Sequence, residues 1–135
     1  DIEVIREPND GYWSNVWNND AKGWCACYWG GRPAETMMFS AAYVAESKWN
    51  DTSWKTTDSA VKFNQLVKDA RKELDENKKR DILFECQRLI YDDGGLLCPL
   101  FNSYVSANSK KIAHGKIAAN WDSDGAKCVE RWWFA

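Results

Sequence analysis

A chain of 135 residues is one domain's worth of polymer, long enough to bury a single core. With 44% hydrophobic and 28% charged residues it carries too much apolar surface for a disordered tail. Its 18 Lys and Arg against 20 Asp and Glu leave a net charge of -2 and a pI near 5.4; this lacks the basic excess of a nucleic-acid binder, and no apolar run approaches the roughly 18 residues of a membrane span.

The chain opens at Asp1 with no initiator Met and no signal-type segment, inside what reads as a strand over residues 2–6, so a fragment or processed piece of a longer protein is expected. Pro8 to Gly11 breaks that strand. Tyr12 and Val16, joined by Trp13 and Trp17, recur at i and i+4 and predict a short helix ending near Asn18. Ala21-Lys22-Gly23 is a turn. The six-residue apolar run Trp24–Trp29, bounded by glycines, predicts a strand buried on both faces. Gly30-Gly31-Arg32-Pro33 is a loop leading into a helix over Ala34–Tyr43, with Pro33 suited to its entry.

Residues 44–57 form the longest irregular stretch, with Trp49 and Trp54 bracketing polar residues and Asn50-Asp51-Thr52 matching the glycosylation pattern. Phe63, Leu66, Val67, Ala70 and Leu74 recur at helical spacing and predict a helix over Ser59–Leu74. Asp75 is placed to cap a second helix, Glu76–Asp92, whose Ile82, Leu83, Cys86, Leu89 and Ile90 give it one apolar face and whose end is marked by Gly94-Gly95. These two helices form a hairpin. Strands are expected at Leu96–Phe101, with Pro99 confining it to an edge or end, and at Tyr104–Ala107; after Lys111 the pattern loosens. The order β-α-β-α-α-α-β-β predicts an α/β or α+β body, helices packed on a small mixed sheet.

Little in the chain resembles catalytic machinery. His114 is the sole histidine, far in sequence from Cys25 and Cys27, and there is no nucleophile elbow, phosphate-cradling glycine loop or zinc-binding helix. A non-enzyme without metal or cofactor is expected, with a Cys27/His114 hydrolase as a distant third reading. Five cysteines, an odd count with poor spacing, predict few disulfides and several thiols acting as small hydrophobes. The nine tryptophans point instead to binding, because an indole offers a large rigid face and one N–H donor. Trp24, Trp29, Trp49 and Trp54 fall at or between element ends, where pockets form, whereas Trp13 and Trp17 read equally well as core. Arg32, beside Trp29, is either an exposed loop charge or a planar fork for an anionic group.

The series Gly23-Trp24-Cys25-Ala26, Gly31-Arg32-Pro33, Met38-Phe39, Trp49-Asn50 and Phe63-Asn64-Gln65-Leu66-Val67, followed by Ala70–Asp75, Lys79-Arg80, Gln87 and Leu96–Leu100, spans nearly the whole chain. In order and spacing it resembles the C-terminal part of the extracytoplasmic solute-binding proteins of dipeptide/oligopeptide ABC transporters. The resemblance implies a periplasmic-binding-protein-like lobe fragment. Residues 1–105 would be the C-terminal half of the second ligand-binding lobe, and 106–135 a crossover segment returning to the first lobe. It further implies capture of a peptide or other small solute between two lobes, delivery to ABC permease subunits in the membrane, a periplasmic or extracytoplasmic location, and no nucleic-acid partner. Trp24, Cys27, Trp29 and Arg32 would line the cleft, with Trp49 and Trp54 as further candidates. Where peptide-binding members carry Trp-x-x-Asp, with the Asp meeting the peptide amine, this chain has Trp24 and Cys27; where they carry Phe-Asp-x-Leu it has Phe63-Asn64-Gln65-Leu66. Loss of the carboxylate at Cys27 and the presence of Arg32 leave peptides, opines and sugars open as ligands. The alternative from another class is a Trp-rich carbohydrate-binding domain.

Overall fold

The computed structural model describes residues 1–19 and 23–135, and the turn expected at Ala21-Lys22 lies outside them. The chain forms a small α+β structure in which helices supply the core and a two-stranded sheet lies near the C-terminus. In chain order the elements are α1 (Tyr12–Asn15), α2 (Glu35–Ala42), α3 (Asp58–Ala70), α4 (Glu76–Asp93), β1 (Ile112–His114), α5 (Asp122–Ala126), α6 (Cys128–Arg131) and β2 (Trp132–Phe134).

The helical hairpin forms as its periodicity predicts. Thr57 caps α3 by accepting from the Ala60 N–H, and Asp75 caps α4 by accepting from the N–H groups of Asn77 and Lys78. Phe63, Val67, Ala70, Leu83, Cys86, Leu89 and Ile90 are buried between α3, α4 and their neighbours. From α2, Phe39 packs edge-to-face on Phe63 with centroids 5.6 Å apart, and Trp54 packs on the same ring at 5.2 Å. The α3 helix stops at Ala70 rather than Leu74, and Leu74 is 91% exposed. The amides of Lys72 and Glu73 turn back onto the Asp69 carbonyl, so the chain can reverse within the few residues before the Asp75 cap. At the far end of α4 the Gly94 N–H closes on Ile90 O at 2.9 Å, and a Cβ at Gly94 would meet that same carbonyl at 2.6 Å.

The expected strands at 2–6, 24–29, 96–101 and 104–107 are not strands here. The segments are non-helical and, among the described residues, the only sheet pairs β1 with β2. A strand exists only through a ladder partner, and an apolar run cannot supply one by itself. Trp24, expected to be buried, is 80% exposed, and Leu97, Phe101 and Val105 are exposed as well. The actual sheet lies in the stretch whose pattern loosens: β1 and β2 pair antiparallel with Ile112 opposite Phe134 and His114 opposite Trp132. Three-residue strands are too short for alternation to be detected. Between them Ser123, Asp124, Gly125 and Ala126 all take positive φ. This left-handed turn surrounds the buried Asp124 carboxylate, which accepts from the Ala118 N–H (2.6 Å) and Trp132 Nε1–H (2.9 Å) and pairs with Arg131 (3.0 Å).

Candidate functional site

The site grows from the loop between α2 and α3. Asn50 is 1% exposed and shares its amide hydrogens among the carbonyls of Tyr43, Val44 and Trp54 at 3.0–3.3 Å, while its Oδ1 accepts from the Trp54 N–H at 3.1 Å. This nitrogen is the one a glycan would need, so the glycosylation pattern is structural in the folded chain. The backbone N–H of Asp51 donates to Ala42 O at 2.9 Å, pinning the loop to the end of α2. Asn64 accepts from the Ala45 N–H at 3.0 Å and braces the same turn.

The Asp51 side chain is thereby held at a junction of aromatic residues. It accepts from Trp29 Nε1–H at 2.9 Å and from Trp17 Nε1–H, and Cys27 Sγ lies 3.6–3.7 Å from its two oxygens. Asn18 donates to Lys48 O at 2.9 Å, fastening the residue after Trp17 to the loop that carries Asp51. From this point the rings form a continuous band. Trp29 meets Trp17 (6.2 Å), Trp17 meets Trp13 (5.7 Å), and Trp13 meets both Tyr12 (5.3 Å) and Tyr28 (5.6 Å), all edge-to-face. Tyr12, Trp13, Cys27 and Tyr28, with Arg6, line an open groove of about 290 Å³.

The band continues past Trp29 to a cation. The Arg32 guanidinium carbon lies 5.9 Å from the Trp29 ring centre and 5.6 Å from that of Trp121, and its Nη1 donates to Gly30 O (2.8 Å) and Gly31 O (3.1 Å). Gly30 permits the close approach, since a Cβ there would stand 2.9 Å from Trp121 Cη2. The Gly31 N–H donates to the Tyr104 hydroxyl at 3.3 Å. One indole, Trp29, thus has a carboxylate at its N–H and a guanidinium over its face.

Burial and then the Asp51 charge push the Cys27 thiol up to about 12, the opposite direction from an activated nucleophile. The Tyr43 hydroxyl is also raised, by burial and then by Asp51. His114 lies elsewhere, its ring 5.1 Å from Trp132 and its Nδ1 2.8 Å from Gly115 O.

Of the six residues singled out in the sequence, the structure brings together Cys27, Trp29 and Arg32. Trp24 stands exposed and apart. Trp49 is 47% exposed, with Lys48 Nζ 5.2 Å from its ring. Trp54 is core, 6% exposed, its indole N–H bonded to Thr57 Oγ1 (2.9 Å) and Asp93 Oδ2 (3.0 Å). The sequence reading passes over Asp51, Trp17 and Trp121. Asp51 carried a signal, as an acid inside a Trp-bracketed loop, but the Asn-Asp-Thr pattern drew the notice to Asn50. Trp17 lies just beyond a short helix, and Trp121 sits in an aperiodic stretch. Among the described residues no group of three or more His, Cys, Asp or Glu is arranged to hold a metal ion, and no helix is long and apolar enough to cross a membrane. Comparison with protein-family models, curated proteins and solved structures returned no match.

Proposed function

We propose that the chain is part of the solute-binding component of an ABC import system, capturing a peptide or related small solute for delivery to membrane permease subunits. On this proposal it acts outside the cytoplasm. Residues 1–105 belong to the second of two lobes and 106–135 lead back toward the first. The observation that carries the reading is the aromatic band from Tyr12 to Trp121 with Asp51 and Arg32 at two sides of Trp29. Such a surface offers apolar area, a hydrogen-bond acceptor and a cationic donor to one zwitterionic solute. Asp51 supports it further, because it sets a carboxylate beside Cys27, where the resembling family places its own. Function would then be a population shift between open and closed lobes, biased by contacts from both.

Thermal shift with panels of short peptides, opines and oligosaccharides tests this. A peptide or opine is expected to raise the unfolding midpoint of the wild type and not of Trp29→Ala. The exposed indoles of Trp24 and Trp49 favour a second reading, a carbohydrate-binding surface. Stabilisation by oligosaccharides alone, lost in Trp24→Ala or Trp49→Ala, would establish that reading instead.

A further inference from the structure

We infer that Arg32 is a carboxylate-recognition fork, taking the planar anionic end of the solute along the edge formed by its Nε–H and Nη2–H. The inference rests on the proposed capture of a small solute and names the chemical group that this part of the surface selects. Arg32 is held in three ways. Its Nη1 is committed to the carbonyls of Gly30 and Gly31, and Trp29 and Trp121 flank the guanidinium within 6 Å. The two carbonyls fix which edge remains. In a guanidinium with Nη1 engaged, Nε and Nη2 present two parallel N–H groups, the spacing that matches the two oxygens of a carboxylate.

That edge has no protein acceptor, and Arg32 has no ion pair, among the described residues. The nearby acid, Asp51, is turned to the indole N–H of Trp29 and to Trp17, so it does not neutralise the arginine. Arg32 is partly buried rather than fully solvated, and the backbone just before it is tied by the Gly31 N–H to the Tyr104 hydroxyl. A positioned, unpaired guanidinium loses little freedom when it binds, which is the condition for a strong contact. An ordinary surface arginine has neither the fixed Nη1 nor flanking indoles.

The test compares dialanine with dialanine amide, which differ only in the terminal carboxylate, by calorimetric titration of wild type and Arg32→Lys. Lysine keeps the charge and loses the fork. Dialanine is expected to bind at least about tenfold more tightly than its amide, with the gap closing in Arg32→Lys while the amide is unaffected. Gly30→Ala, which drives a Cβ into Trp121, should narrow the gap with the arginine retained. In parallel, the Arg32 Nε–H resonance is followed on adding acetate or inorganic phosphate. If dialanine and its amide bind equally and Arg32→Lys changes neither, the carboxylate assignment is overturned while peptide capture stands. If neither peptide binds but acetate moves the Arg32 resonance, the fork stands and peptide capture falls. Phosphate moving it more strongly than acetate overturns the carboxylate in favour of a phosphoryl group. No response to acetate or dialanine overturns the inference outright.

Discussion

Replacing Asp51 with alanine probes the junction on which the site is built. The side chain accepts from two indoles, Trp17 and Trp29, and faces the Cys27 thiol, while its backbone bond to Ala42 would survive the substitution. A hydrogen bond to a charged acceptor is worth about 1.5–3 kcal/mol when buried. Asp51 is half-buried, so about 1 kcal/mol for each indole is the fitting scale and the pair comes to about 2 kcal/mol. For a chain of this size each kcal/mol moves the melting midpoint by about 3 °C, giving a fall of about 6 °C for Asp51→Ala. Asp51→Asn keeps one acceptor and should lose about half as much. A second readout separates charge from packing. Because Asp51 helps hold the Cys27 thiol up to about 12, either substitution should speed alkylation of Cys27, read by peptide mass spectrometry, by roughly threefold or more at mildly alkaline pH. A midpoint within about 1 °C of wild type, together with unchanged Cys27 alkylation in both variants, would refute the reasoning.

Three further outcomes concern the body that carries the site. Phe63→Ala removes a fully buried ring that Phe39 and Trp54 both contact, and chemical denaturation should show a loss of about 3–5 kcal/mol. Burial, then the neighbouring Glu85, raises the Cys86 thiol from the usual 9.0 to about 11. An unfolded chain releases this proton first, so the contribution is complete below pH 9 and is lost as pH rises toward 11. At about 1.4 kcal/mol per unit the loss is about 2–3 kcal/mol, and denaturation curves of Cys86→Ala should show a shallower alkaline decline. Asp93 is held low by Ser59, Trp54 and Thr57, and Asp124 by the Ala118 amide, with Trp132 and Arg131 adding to it. Their contributions are present above the ordinary carboxylate range and vanish as pH falls through the lower folded values. Acid unfolding followed by circular dichroism should accordingly be less steep in Asp124→Asn than in wild type.

Helices α1 to α4 were legible because each carries its own evidence in sequence, whereas α5 and α6 lie in the stretch after Lys111 where the pattern loosens. The i, i+3, i+4 spacing of Phe63, Leu66 and Val67 and the cap at Asp75 are local, and local signals suffice for an element whose backbone bonds are internal. The Trp24–Trp29 run shows the opposite case. Its composition suits a strand, yet strand formation depends on residues far away in sequence, and here the segment is tied instead by the Tyr12 hydroxyl on Ala26 O and by Trp29 on Asp51. The site was half legible for a similar reason. Trp29 and Arg32 are near neighbours in sequence and proximity grouped them, while Cys27 drew notice only through the Trp-x-x-Asp position of the resemblance. Asp51 reaches Trp29 over 22 residues and Tyr104 reaches Gly31 over 73, and Trp17 and Trp121 also come from outside the segment, which no spacing rule joins. Trp54 shares its residue type and loop with Trp49, and what separates them is Asp93, a partner at the end of α4 that gives Trp54 a place in the core.

On the proposed function, solute binds on the band around Trp29. Its most direct measurement is a two-dimensional nitrogen–proton spectrum of the nine indole N–H groups, assigned by single Trp→Phe variants and titrated with a short peptide at millimolar concentration. The signals of Trp29, Trp17 and Trp121 are expected to move together and saturate, while Trp54, buried and bonded to Asp93, stays in place. No movement of the Trp29 signal with any small solute, or saturable movement confined to Trp24 and Trp49, would contradict it.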